Sequence, residues 1–268
     1  MKGLNISVLV KPVPDPGCYE SIQIDPQTGI LVREGLPNIL NPADKHALEA
    51  ALQLVEQHSG RVVMVSMAPP NALETVKEGL AMGADEAWLL SDRAFAGADT
   101  LATSRVLAAG IKKLGLCDLV LAGSESADGG TAHVPSQVGE ILGISHLTNV
   151  TWLNIDTDAN VRARMKMENG YIEVEGALPM VIGVSRGMNV PRYTSLPGIL
   201  AAQDKPVKVL GLNNLGLDPG SVGLAGSPTQ PGKLSRPELK RQGERLEGEP
   251  AELAKRIVAI MRSSGVLS

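Results

Sequence analysis

Hydrophobic positions in the first half of the chain fall into short unbroken runs, separated by stretches in which they recur every three or four residues. The runs are ISVLV (6–10), RVVMVSM (61–67), EAWLLS (86–91) and DLVLAG (118–123). Near-continuous apolar runs of this length are the pattern of strands covered on both faces. Between them, Asn41-Pro42-Ala43-Asp44 places an N-cap Asn before a Pro at the first helical position, with an acid at the third. Ala47, Leu48, Ala51, Leu52 and Val55 then share one helical face. Asn71 with Glu74 repeats the capping pattern, and Gly83 supplies a helix stop. This alternation, from residue 5 to about 145, predicts an α/β fold with a doubly wound, mostly parallel sheet.

Two interruptions read as antiparallel additions. SIQIDPQTGILVREG is strand, turn, strand around residues 25–29, and VRARMKMENGYIEVEG is a hairpin around Asn169-Gly170. LPMVIGVS (178–185) adds one more buried strand. From Asn189 onward Pro and Gly are frequent and apolar residues thinly spread, so this stretch is not expected to close a core of its own. It ends in a helix with Leu253, Ile257, Ile260 and Met261 on one face and Gly265 as its stop. The division expected is a nucleotide-binding α/β domain at 1–188 and an extended arm at 189–268.

Composition narrows the function classes. A net charge of -4, with no long Lys/Arg run, disfavours nucleic acid and anionic membrane as main partners. Aromatics at 2% leave little material for base stacking. Cys18 and Cys117 are far apart and form no disulfide framework, and the N-terminal apolar run is too short for a signal segment or a membrane span. A cytoplasmic protein without membrane insertion is expected.

The candidate chemistry sits where the apolar run 119–123 meets the loop SESADGGTAHV. In open α/β sheets ligands bind outside the carboxyl ends of the strands. Gly129 and Gly130 would let backbone N–H groups approach a phosphate, Thr131 adds a hydroxyl, and the following helix presents its N-terminus to the anion. The plainer alternative is that Asp128-Gly129 is only a turn and Thr131 only a cap. His46, His58, His133 and His146 lack metal-ligand spacing, so no metal site is expected. No nucleophile motif is present, so no catalytic side chain is assigned.

Several segments together resemble the β subunit of electron transfer flavoproteins. They are VLVKPVPD, ILNPADKHALEAAL, VSMAPPNALETVKEGLAMGADEAWLLSD, GSESADGGTAHVPSQVGEILG and VPRYTSLPGIL, and they span nearly the whole chain. The resemblance implies an adenine-nucleotide α-hydrolase-like fold and a heterodimer with a larger α subunit that holds the electron-transferring FAD. It implies a second nucleotide in this subunit, either a structural AMP or, in the electron-bifurcating branch, an FAD that takes a hydride from NADH. FAGADTLATS (95–104), with Thr100 and Thr103, and DGGTA look closer to the bifurcating branch, so FAD is the cofactor expected and AMP the alternative. The alternative function is a redox-silent AMP-binding scaffold that cradles the FAD-bearing α subunit.

Carried over by position, the nucleotide would meet Leu9, Asn41, Pro42, Ala43, Asp44 and Met67. The loop with Gly123, Ser124, Asp128, Gly129, Gly130, Thr131, Ala132, His133 and Val134 would surround its phosphates. Ser124 stands where the family usually has Lys or Arg, so one cationic phosphate partner is missing from the loop. PRYTSLPGIL resembles the family's recognition loop for acyl-CoA dehydrogenases and related flavoenzymes, with Leu196 as apolar anchor and Arg192 and Tyr193 beside it. The arm is expected to wrap the α subunit.

Overall fold

The computed structural model describes residues 3–21, 23–24, 31–32, 37–115, 117–156, 159–230, 232 and 243–267. Nine strands make one sheet: β1 (Leu4–Leu9), β2 (Gly60–Met67), β3 (Glu86–Leu90), β4 (Leu119–Gly123), β5 (Ser145–Ile155), β6 (Asn160–Met167), β7 (Gly170–Ala177), β8 (Met180–Val184) and β9 (Val207–Leu210). Their order across the sheet is β7-β6-β5-β8-β4-β1-β2-β3-β9. From β5 to β9 all neighbours are parallel, whereas β5, β6 and β7 form an antiparallel flap.

The helices are α1 (Pro42–His58), α2 (Leu73–Met82), α3 (Thr100–Leu114), α4 (Val134–Leu142), α5 (Leu196–Ala201), the single turn α6 (Leu212–Leu215) and α7 (Pro250–Ser263). Alternating strand residues feed two cores. Ile6, Val8, Val62, Met64, Leu119 and Leu121 pack with Leu48 and Leu52 of α1 and Val76 and Leu80 of α2. Leu9, Val63, Val65, Val120 and Ala122 pack on the other face with Val106, Leu107 and Ile111 of α3 and Val138 of α4. Both faces of the central strands are therefore dry, which explains why their sequences carry no polar alternation.

This winding sets the position of the site. The chain steps from β1 outward to β2 and β3, then crosses back to β4 on the opposite side of β1. The carboxyl ends of β1 and β4 thus flank the topological switch point, where connections leave towards opposite faces and where open α/β sheets as a rule form a crevice.

Several local readings need correction. Asn71 does not cap α2: Pro69 and Pro70 fix a 3₁₀ turn over Pro70–Ala72, and the helix begins beyond it at Leu73 without a side-chain cap. Gly83 does end α2, at φ 139°. In the second hairpin the turn falls one residue earlier, on Glu168 and Asn169, with Met167 paired to Gly170. For the first, Gln23–Ile24 pairs with Leu31–Val32, and the turn at 25–29 lies outside the described residues.

The stretch after Asn189 divides in two. Residues up to Gly232 belong to the first compact unit, and Lys233–Ser268 form a second. Within the first, β9 adds to the sheet beside β3, while Leu212, Leu215, Leu217 and Val222 join the α3–α4 core. Thinly spread apolar residues suffice here because they extend an existing core. In the second unit, α7 carries the apolar face read from the sequence, and Arg256 pairs with Glu244. No helix among the described residues is long and apolar enough to cross a membrane.

Candidate functional site

Two side chains at the start of α1 organise the crevice. Asn41 occupies the N-cap position, but its side chain caps none of the helix's N–H groups. Its amide nitrogen donates to Asp44 Oδ1 and to the Glu125 carbonyl, each at 2.9 Å, and its Oδ1 accepts the Ala127 N–H at 3.0 Å. Asp44 Oδ2 accepts the Lys11 N–H at 2.7 Å, and Oδ1 accepts the Gly123 N–H at 3.1 Å. Asn41 N–H in turn donates to the Lys11 carbonyl at 2.9 Å. The segments following β1 and β4 are thus tied to one helix terminus by two residues only 2% and 5% exposed.

Burial raises the Asp44 carboxyl to about 7 from 3.8, and the bonds from Asn41, Lys11 and Gly123 hold it from rising further. Gly123 is required by this packing. A Cβ there would come within 2.4 Å of Asp44 Oδ1 and 2.7 Å of the Ala43 Cβ. Ala43 is buried and Pro42 opens the helix, so among residues 41–44 it is backbone and helix terminus, more than side chain, that a ligand could reach.

The loop after β4 is built for backbone donation. Ser126 accepts the Gly129 N–H on its hydroxyl and the Gly130 N–H on its carbonyl. Gly130 has φ 58° and Ala132 φ 57°, and the space a Gly130 Cβ would enter is open. Such turns aim successive N–H groups into a concavity suited to anions. No acceptor among the described residues meets the N–H groups of Thr131, Ala132 and Val134, and Val134 begins α4. His133 Nδ1–H is engaged by the Thr131 carbonyl. Lys11 Nζ reaches across the crevice to Asp128 Oδ1 at 2.7 Å and Ser126 Oγ at 3.3 Å.

The other expected residues are placed as follows. Leu9 and Met67 end β1 and β2 and lie in the α3–α4 core, Leu9 fully and Met67 partly buried. Thr100 and Thr103, half-buried, sit in the first turn of α3, which Asp99 caps by accepting the Ala102 N–H at 3.0 Å. Ser124 is committed to the fold: its N–H donates to the Val184 carbonyl and its hydroxyl accepts the Asn149 N–H. Sequence reading missed Lys11. It lies in the quoted segment VLVKPVPD, but nothing local shows that its ammonium meets a loop 117 residues away. Among the described residues no group of His, Cys, Asp and Glu could hold a metal ion.

The segment around α5 presents apolar side chains outward. Tyr193 is 98% exposed, Leu196 70% and Leu200 63%. Ser195 caps the helix by accepting the Gly198 N–H, and Gly198 lies so close to α2 that a Cβ would meet the Ala81 carbonyl at 2.4 Å. Arg192 is spent on α1, where its guanidinium grips both oxygens of buried Glu49 and also Glu56 at 2.7 Å. Burial alone would raise Glu49, but the Arg192 bonds outweigh it and hold the carboxyl below its usual range. The exposed residues therefore project from a segment anchored to two helices.

A family model described as the electron transfer flavoprotein domain matches residues 28–214. The chain is 45% identical over 259 residues to electron transfer flavoprotein subunit beta of Clostridium acetobutylicum, covering 97% of this chain and 98% of that one. It is 43% identical over 266 residues to the caffeyl-CoA reductase-Etf complex subunit CarD of Acetobacterium woodii, covering 98% and 100%. Similarity also extends to the acryloyl-CoA reductase electron transfer subunit gamma of Anaerotignum propionicum, at 36% over 262 residues, covering 95% and 97%.

Proposed function

Because the chain belongs to the electron transfer flavoprotein family, with its β subunits, we propose that its switch-point crevice holds the phosphates of an adenine nucleotide, and that this nucleotide is FAD. The observation carrying the reading is the loop ahead of α4, where positive-φ Gly130 and Ala132 accompany backbone N–H groups that meet no acceptor among the described residues. The donor set suits the group: exposed N–H groups, a helix terminus and the Lys11 ammonium beside them. AMP would use the same phosphate contacts and is the alternative occupant.

Bound FAD would supply electron acceptance and donation, one or two electrons at a time. The residues of this chain do the holding. Asn41 and Asp44 fix the two loops that line the crevice, Gly123 lets the first turn of α1 approach β4, and the loop backbone meets the phosphates. The chain would work as a heterodimer with an α-type subunit, with NADH as electron donor in a bifurcating form. Tyr193, Leu196 and Leu200 would enter an apolar pocket of a flavoenzyme partner of the acyl-CoA reductase or dehydrogenase kind. Their exposure on an anchored segment favours this, as do the reductase complexes named for two of the relatives. Counting the nucleotides released from the purified heterodimer tests the reading.

A further inference from the structure

We infer that Lys11 is a phosphate-binding residue of this site, the cation that the loop itself lacks. This rests on the nucleotide reading above and assigns its electrostatic partner. The loop from Gly123 to Val134 contains Glu125 and Asp128 but no Lys or Arg. An anion entering it meets backbone N–H groups and the Thr131 hydroxyl, with two carboxylates nearby and no cation of the loop's own. Charge has to come from another segment.

Lys11 is placed to supply it. Its backbone is fixed on both sides, the N–H by Asp44 Oδ2 at 2.7 Å and the carbonyl by the Asn41 N–H at 2.9 Å. From that anchor the side chain spans the crevice to Asp128 at 2.7 Å and to the Ser126 hydroxyl at 3.3 Å. The Lys11 side chain is 45% exposed while that of Asp128 is 11% exposed, so the ammonium lies on the solvent side of the pair. An ammonium has three N–H donors. Among the described residues Asp128 and Ser126 account for two, and the third is offered to an incoming phosphate oxygen. In this arrangement Lys11 neutralises Asp128 and binds phosphate at the same time.

A buttressing role for the ion pair makes different predictions, which binding measurements separate. The test uses calorimetric titration of the nucleotide-stripped heterodimer with AMP, ADP and adenosine, for the unmodified protein, Lys11→Arg and Lys11→Gln. Lys11→Gln should weaken AMP and ADP roughly tenfold, the scale of one charge-assisted hydrogen bond. Adenosine, which has no phosphate, should stay within about twofold, and Lys11→Arg should recover most of the loss, since it keeps the charge. Equal losses for AMP and adenosine, or no loss at all, would overturn the assignment while leaving the nucleotide site standing. Unmodified protein that binds neither AMP nor ADP would remove the nucleotide reading and this assignment together.

Discussion

The side-chain amide of Asn41 donates to the carboxylate of Asp44 at 2.9 Å, and between them the two residues bond to backbone groups of Lys11, Gly123, Glu125 and Ala127. Residues that start a helix thus serve mainly to hold two loops 33 to 86 positions distant in the chain. Substitution at Asn41 is the most direct probe of this arrangement. Asn41→Ala would remove the bonds to the part-buried Glu125 carbonyl and Ala127 N–H, and one of the donors to buried Asp44. A buried group that loses a bond costs about 1–3 kcal/mol, and one that water can reach costs less. A loss of roughly 1–3 kcal/mol in urea unfolding of the purified complex is expected, together with lower nucleotide content. An unchanged midpoint would mean that the hub does not hold the loop.

Asp44 makes stability depend on pH in a sense opposite to most carboxylates. Its pKa is raised from 3.8 to about 7 by burial, against the bonds from Asn41, Lys11 and Gly123. The folded state therefore binds this proton more tightly than the unfolded chain. The contribution is fully present below pH 3.8 and is lost as pH rises towards 7. Asp44→Asn cannot satisfy all three donors, so it should lower stability throughout. It should also flatten the decline between about pH 4 and 7. Unfolding midpoints across that range report it, and identical slopes for the two proteins would contradict the assignment.

Leu196 offers the cleanest test of docking. It is exposed and caps no packing of its own, so Leu196→Ala should leave the heterodimer and its nucleotides intact. If the side chain fills an apolar pocket in a flavoenzyme partner, the KM for that partner should rise roughly tenfold, with kcat little changed. Steady-state electron transfer against partner concentration measures this. An unchanged KM would move docking to another surface.

How much was legible beforehand follows from burial. β1 to β4 and β8 could be read because both faces are covered, leaving uninterrupted apolar runs. β5 went unread because most of its residues are half or fully exposed, and β9 because it has four residues beside Pro206. The position of Asn41 before a helix was visible, but its bonding partners were not, since they lie 84 and 86 residues away. Ser124 shows the converse: its place in the loop, carried over from the family resemblance, suggested ligand contact, whereas its hydroxyl accepts the Asn149 N–H, a bond 25 residues away that local sequence does not show. Lys11 was hidden for the same reason as the Asn41 contacts. A long-range ion pair leaves no trace in local spacing.

The central claim is that this chain carries an adenine nucleotide of its own. The decisive measurement is to denature the purified heterodimer, separate the released nucleotides by chromatography, and count FAD and AMP against protein. Two FAD per heterodimer is the result the account predicts. One FAD with one AMP would keep the phosphate site and replace its occupant. One FAD with no second nucleotide would contradict the account.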